Sequence, residues 1–333
     1  MYLLESTPKR KTCIHIMTYS AHFKECFKLI KKIRSFDNKV TIFVILDTFE
    51  EENKFASYIE GLEVKLLNLE FITKQPLAIK QISFNDICIS SRNKEKLKMN
   101  DQVAHFNYHR QYVVLKRVYS LLYLYTQNFD KIWAMDCESY PVKEIEVYSI
   151  FKKYWDNPFI VVSDNGIERD KKLTLKVNKL FGYDYNESYN YFFRQNDLFM
   201  YDMQIFSNCM LFLEEYNNKR ICDFMAAPEQ MVYEIYIIKE KYNFKIINLS
   251  EHGCNLNLRQ GGFGKVISQM NSTEYDKFIK NVLTKYLFCL WGNHVYSSIK
   301  NNININKIID NIDFIVSNCP TCLIDDEFTP SPT

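Results

Sequence analysis

Apolar residues recur along this chain in two periods. Ile132, Trp133, Ala134 and Met135 form an unbroken apolar run, and Val40 to Leu46 (VTIFVIL) forms a purer one, as expected of strands buried on both faces. Thr12 to Ser20, Val64 to Leu69, Phe159 to Ser163 and Phe244 to Leu249 read as further strands. Between them the period becomes helical. Phe23, Phe27, Ile30 and Ile33 share one face with lysines opposite, and Glu50 to Ile59 is an acidic helical stretch. From Asn107 to Thr126 a buried face is supplied by Val113, Val114, Leu115, Val118, Leu121, Leu122 and Tyr125. Pro228 to Lys239 is a further helix, with Pro228 suited to its first turn and Glu229 near its positive end. The opening order β-α-β-α-β predicts an α/β fold with a mostly parallel twisted sheet flanked by helices. Tyr191 to Phe206 alternates aromatic and polar residues and is expected as sheet, whereas Lys74 to Asp101 lacks periodicity and reads as a long loop.

Composition narrows the classes. A chain of 333 residues, 47% of them hydrophobic, is long enough for one large α/β domain with an appendage or for two domains. The 42 basic and 40 acidic residues lack the basic excess of a general nucleic-acid binder, so no nucleic-acid partner is expected. Ten cysteines are scattered through apparent strands and helices, and nothing at the N-terminus reads as a signal peptide. The expectation is a reduced, cytoplasmic chain. No stretch approaches ~20 uncharged apolar residues, which leaves at most peripheral membrane contact.

The chemistry concentrates where the apolar run stops, at Asp136-Cys137-Glu138. Carboxylates placed directly after a buried strand lie at the carboxyl edge of the sheet, where open α/β folds hold their ligands. A spacing of two puts both side chains on one side of an extended backbone, within reach of one cation. Glycine usage points the same way. Only eight glycines occur, the first is Gly61, and the turn after the first strand reads Thr18-Tyr19-Ser20-Ala21-His22. Dinucleotide-binding and Walker loops need glycine there to cradle phosphates. A metal ion on strand-end carboxylates is the alternative way to hold a diphosphate.

This order of elements, with a helix leading into Asp130-Lys-Ile-Trp-Ala-Met-Asp-Cys-Glu138, a later helix carrying Glu229 and a late His294, resembles the GT-A-fold glycosyltransferases. These are metal-dependent nucleotide-sugar transferases with an Asp-x-Asp motif. The likeness runs from Thr12 to His294. It implies a Rossmann-like nucleotide-sugar-binding half over residues 1–165, an acceptor and catalytic half over 166–267, and a C-terminal extension over 268–333 with a disordered tail. It further implies transfer from a nucleotide-sugar donor, a UDP-sugar first, to a hydroxyl of a glycan, glycolipid or protein.

On this resemblance Asp136 contacts ribose or metal and Glu138, standing where the family has Asp, binds Mn2+ or Mg2+. His294 completes the metal shell, with His252 a rival. Thr18, Tyr19 and Asp47 face base and ribose, and Arg110, Gln111 or Lys116 the diphosphate or sugar. If the reaction inverts, a carboxylate must take the acceptor hydroxyl's proton; Glu229 is the first candidate and Asp202 the next. Two readings from other classes stand beside this one, a non-catalytic nucleotide- or sugar-binding module and a metal-dependent nucleotidyltransferase.

Overall fold

The structure is a computed structural model that describes residues 11–80, 83–84, 102–137, 139–141, 159–162, 181–182, 198–217, 229–248, 254–257, 271–274 and 286–290, with single positions at 152, 155, 156, 179 and 277. Several of these, including 102–111, 245–248, 254–257 and 286–290, are described by backbone alone. The chain opens with β1 (Thr12–Met17), a 3-10 turn (Ser20–His22), α1 (Phe23–Phe36), β2 (Thr41–Leu46), α2 (Phe49–Ala56), β3 (Lys65–Asn68) and the single turn α3 (Leu69–Ile72). It continues through α4 (Gln102–Thr126), β4 (Lys131–Asp136), β5 (Ser139–Pro141), β6 (Phe159–Val162), β7 (Leu198–Asp202), α5 (Met203–Asn217) and α6 (Glu229–Lys239). Three short strands follow, β8 (Lys245–Asn248), β9 (Cys254–Asn257) and β10 (Tyr286–Leu290).

The central sheet has the order β3-β2-β1-β4-β7, parallel except for β7, which runs antiparallel to β4. Its register sorts side chains into two cores. Cys13 and Met17 of β1, Phe43 and Ile45 of β2, Ile132 and Ala134 of β4, and Phe199 and Tyr201 of β7 face the layer of α4, α5 and α6. The alternate residues, among them Ile14, Ile16, Val44, Trp133 and Met135, face α1, which contributes Phe23, Cys26, Leu29, Ile30 and Ile33. Side chains alternate faces along a strand, and parallel neighbours in register share a face. Since Met17 pairs with both Ile45 and Asp136, the face that carries Asp136 also carries Asp47, two residues past Ile45.

Local chemistry sets the element ends. Helix α4 stops in a Schellman arrangement, in which Phe129 N donates to Leu124 O and Asn128 N to Tyr125 O, with Asn128 in the left-handed region at φ 64°. The chain turns at once into β4, so α4 runs antiparallel to it and earlier residues of α4 lie nearer the carboxyl edge. Helix α2 is capped by Thr48, whose hydroxyl accepts from Glu51 N.

One expectation changes. Of the Tyr191 to Phe206 region, residues 191–197 lie outside the described residues; Leu198–Asp202 is sheet, as expected, but α5 begins at Met203, because the Asp202 carboxylate accepts from Ile205 N and caps a helix at that point. The central sheet is mostly parallel, as expected, with β7 joining it antiparallel. Among the described residues two smaller sheets stand beside the central one: β6 with β8 in parallel, and β10 with β9 in parallel and with β5 antiparallel.

Candidate functional site at the carboxyl edge

The sheet order makes β1 and β4 the switch point. From β1 the chain winds outward through β2 to β3, and α4 then carries it back to β4 on the other side of β1. The crevice beyond the carboxyl ends of two such strands is where open α/β sheets bind ligands. Asp136 ends β4, and Thr18 and Tyr19 follow β1.

Over this crevice α4 lowers two adjacent buried cations. Lys116 Nζ donates to Thr18 O at 2.7 Å and to Asp47 Oδ1 at 2.5 Å, joining the ends of β1 and β2. Arg117 donates from Nη2 to Asp136 Oδ1 at 2.8 Å and from Nη1 to Glu229 Oε1 at 2.5 Å. Glu229 is 1% exposed, and Asp136 is 25% exposed at its side chain. Burial opposes the Arg117 charge, but the carboxylates of Glu229 and Asp136 more than offset it and hold the guanidinium above its ordinary value. Burial, then the Glu229 charge, raises the Tyr201 phenol well above its usual range, so it stays protonated and donates to Glu229 Oε1 at 3.4 Å.

Beneath the cations lies His15, fully buried, with Nε2 2.7 Å from Ser120 Oγ. Ser120 Oγ also lies 2.7 Å from the Lys116 carbonyl and 3.1 Å from that of Arg117, which ties the imidazole to the backbone of α4. Burial first, then the nearby Arg117 charge, pushes His15 down to about 3.

The opposite face of the same edge is aromatic and soft. Cys137 Sγ lies 3.4 Å from His22 Nδ1, Tyr19 OH lies 3.2 Å from His22 Nε2, and the Tyr19 ring stacks on the imidazole at 4.6 Å. Glu51 accepts from Ser20 N at 2.9 Å and from Asp47 N at 3.1 Å, tying the turns after β1 and β2 together.

The structure thus brings Thr18, Tyr19, Asp47, Lys116, Asp136 and Glu229 to one edge. Thr18 is buried and its hydroxyl is directed at the carbonyls of Tyr19 and His22, so it shapes the turn. Arg110 and Gln111 lie one to two turns nearer the start of α4, with side chains outside the described residues. Asp202 does not join the group: it pairs in register with Lys131 at the start of β4, at the other edge of the sheet from Asp136, where it holds the Lys131 ammonium and caps α5. Glu138, His252 and His294 lie outside the described residues. The return of the chain that His294 requires is partly visible, since β10 pairs Leu290 with Ser139, three residues past Asp136. Among the described residues no three His, Cys, Asp or Glu side chains converge as a metal site would require, and no helix is long and apolar enough to cross a membrane.

Arg117 is the residue that sequence reading passed over. A signal for it exists: Val113, Arg117, Leu121 and Leu124 follow one helical stripe, and a charge inside a buried stripe demands a buried carboxylate partner.

No protein-family model matches the chain, and no curated protein matches it in sequence. Among solved structures, mouse xyloside xylosyltransferase 1 in its apo form is similar over 86% of this chain and 99% of its own, with a TM-score of 0.47 and 7% identity. The galactosyltransferase LgtC in complex with donor and acceptor sugar analogs is similar over 93% and 97%, with a TM-score of 0.44 and 10% identity. Core-mannan synthase A from Aspergillus fumigatus in its Mn/GDP form is similar over 69% and 70%, with a TM-score of 0.43 and 9% identity.

Proposed function

We propose that this chain is a glycosyltransferase that moves a sugar from a nucleoside-diphosphate sugar to an acceptor hydroxyl, with a divalent cation supporting the diphosphate. One observation carries the reading: a partly exposed carboxylate, Asp136, is held by an ion pair at the switch point of an open α/β sheet whose first turn has no glycine. A diphosphate there lacks a backbone cradle and needs charge from elsewhere.

The local charge balance supports a metal. Among the described residues Lys116 and Arg117 face Asp47, Asp136 and Glu229, so two cations meet three carboxylates and this group is net negative before Glu51 is counted. A bare diphosphate is repelled by such an edge, whereas a hard divalent ion is attracted to it. Asp136 offers the carboxylate oxygen that Mg2+ or Mn2+ prefers. When bound, such an ion stabilises the charge that grows on the leaving diphosphate without a proton transfer. Lys116 keeps the turns after β1 and β2 in place for base and ribose, and Tyr19, stacked on His22, is the aromatic surface of that turn.

A thermal-shift series with UDP-, GDP- and CMP-sugars, with and without Mn2+, tests the reading. The expected result is a rise in melting temperature with one donor and Mn2+ together, lost in Asp136→Asn, followed by metal-dependent release of the nucleoside diphosphate. Absence of a shift with every donor and metal combination rejects it.

A further inference from the structure

We infer that Arg117 is the positioning residue of this site and that Glu229 acts through it, as the anchor of the guanidinium and not as a base facing an acceptor. The consequence for donor binding rests on the glycosyltransferase reading; the mechanical claim does not.

A guanidinium is a rigid planar fork, and this one spans three elements. It rises from the middle of α4, gives Nη2 to the last residue of β4 and Nη1 to the first residue of α6. Its Nε is buried with no hydrogen-bond partner among the described residues, so the bonds that fix the fork are those to the two carboxylates. The carboxylates are unequal. Glu229 is sealed at 1% exposure and directs Oε1 to both Arg117 and the Tyr201 hydroxyl, whereas Asp136 keeps a quarter of its side chain open to the edge. The inner acid holds the fork, and the fork holds the outer acid. A base must meet its substrate's proton within hydrogen-bond reach. Glu229 instead commits Oε1 to a 2.5 Å ion pair and to the Tyr201 hydroxyl, and protonating it would remove the charge that keeps Arg117 in place.

The two roles separate in Glu229→Gln, which keeps an oxygen for Arg117 and loses the charge. If Glu229 is the anchor, Mn2+-supported donor affinity measured by calorimetry falls by roughly tenfold, turnover falls by less, and the pH profile keeps its shape. Arg117→Lys, a point charge with no fork, shows the same division more strongly, and adding Glu229→Gln to it weakens binding no further. A Glu229→Gln enzyme with unchanged donor affinity, turnover reduced by ~100-fold and the acid limb of its pH profile gone would make Glu229 the base and overturn the inference. If the wild-type chain binds no nucleotide sugar with any metal, the function reading fails, and the positioning claim is decided by stability. The urea midpoint shifts of Asp136→Asn and Glu229→Gln must then fail to add in the wild-type background and add in the Arg117→Lys background. Additivity in both overturns it.

Discussion

Asp136 carries two duties that pull against each other. A strand-end carboxylate looks dispensable to the fold, yet this one is half of the support of a guanidinium that is otherwise out of water. Asp136→Ala leaves Arg117 Nη2 without its carboxylate, and a buried donor stripped of its acceptor costs about 1–3 kcal/mol. Asp136→Asn keeps an acceptor oxygen and should lose less stability while still losing the charge that a divalent ion needs. Urea denaturation of the two variants beside wild type checks this, and equal stability of all three would mean that Arg117 does not depend on Asp136. The sequence marked Asp136 because an apolar run ends there. It marked Arg117 only weakly, through its place on the apolar stripe of Val113, Leu121 and Leu124; that its partners are Asp136 and Glu229 depends on how α4 rotates against the sheet.

At the scale of elements, buried strands were legible and their partners were not. VTIFVIL and IWAM announce strands because an apolar run of that length has few other uses, and both stand close to where they were expected, as Thr41–Leu46 and Lys131–Asp136. Helix α5 was missed because Met203 to Phe206 continues the aromatic alternation of β7, and only the cap at Asp202, a tertiary choice, breaks it. That cap makes a prediction. Asp202 both caps α5 and pairs with the buried ammonium of Lys131, so Asp202→Ala should lower stability by roughly 2–4 kcal/mol. Because the register sets Asp202 at the opposite edge from Asp136, Mn2+-supported donor affinity should not change at temperatures where the variant stays folded. A fall in affinity would return Asp202 to the site.

Across the whole molecule, the site is a product of layering. One face of the central sheet is hydrocarbon against α1; the other face turns from hydrocarbon to charge as it nears the carboxyl edge, where α4 supplies Lys116, Arg117 and, one turn lower, Ser120. His15 sits at that transition, and its titration should govern how the fold responds to acid. Its ring is neutral in the folded state because burial and the Arg117 charge depress its pKa to about 3, against 6.5 when free. Between those values the unfolded chain binds a proton that the folded chain refuses, so stability rises with pH through this window and is fully present above the unfolded value. On acidification it should fall from about pH 6.5 downward, by up to ~1.4 kcal/mol per pH unit from this group. His15→Gln removes the titration and leaves an amide that can donate to Ser120. The urea midpoint of wild type should therefore drop more steeply between about pH 6.5 and 4.5 than that of His15→Gln, with the two curves parallel above pH ~7. Parallel curves through the acid window would mean that His15 finds a proton's worth of room in the folded protein, and that the column beneath Lys116 and Arg117 is not sealed.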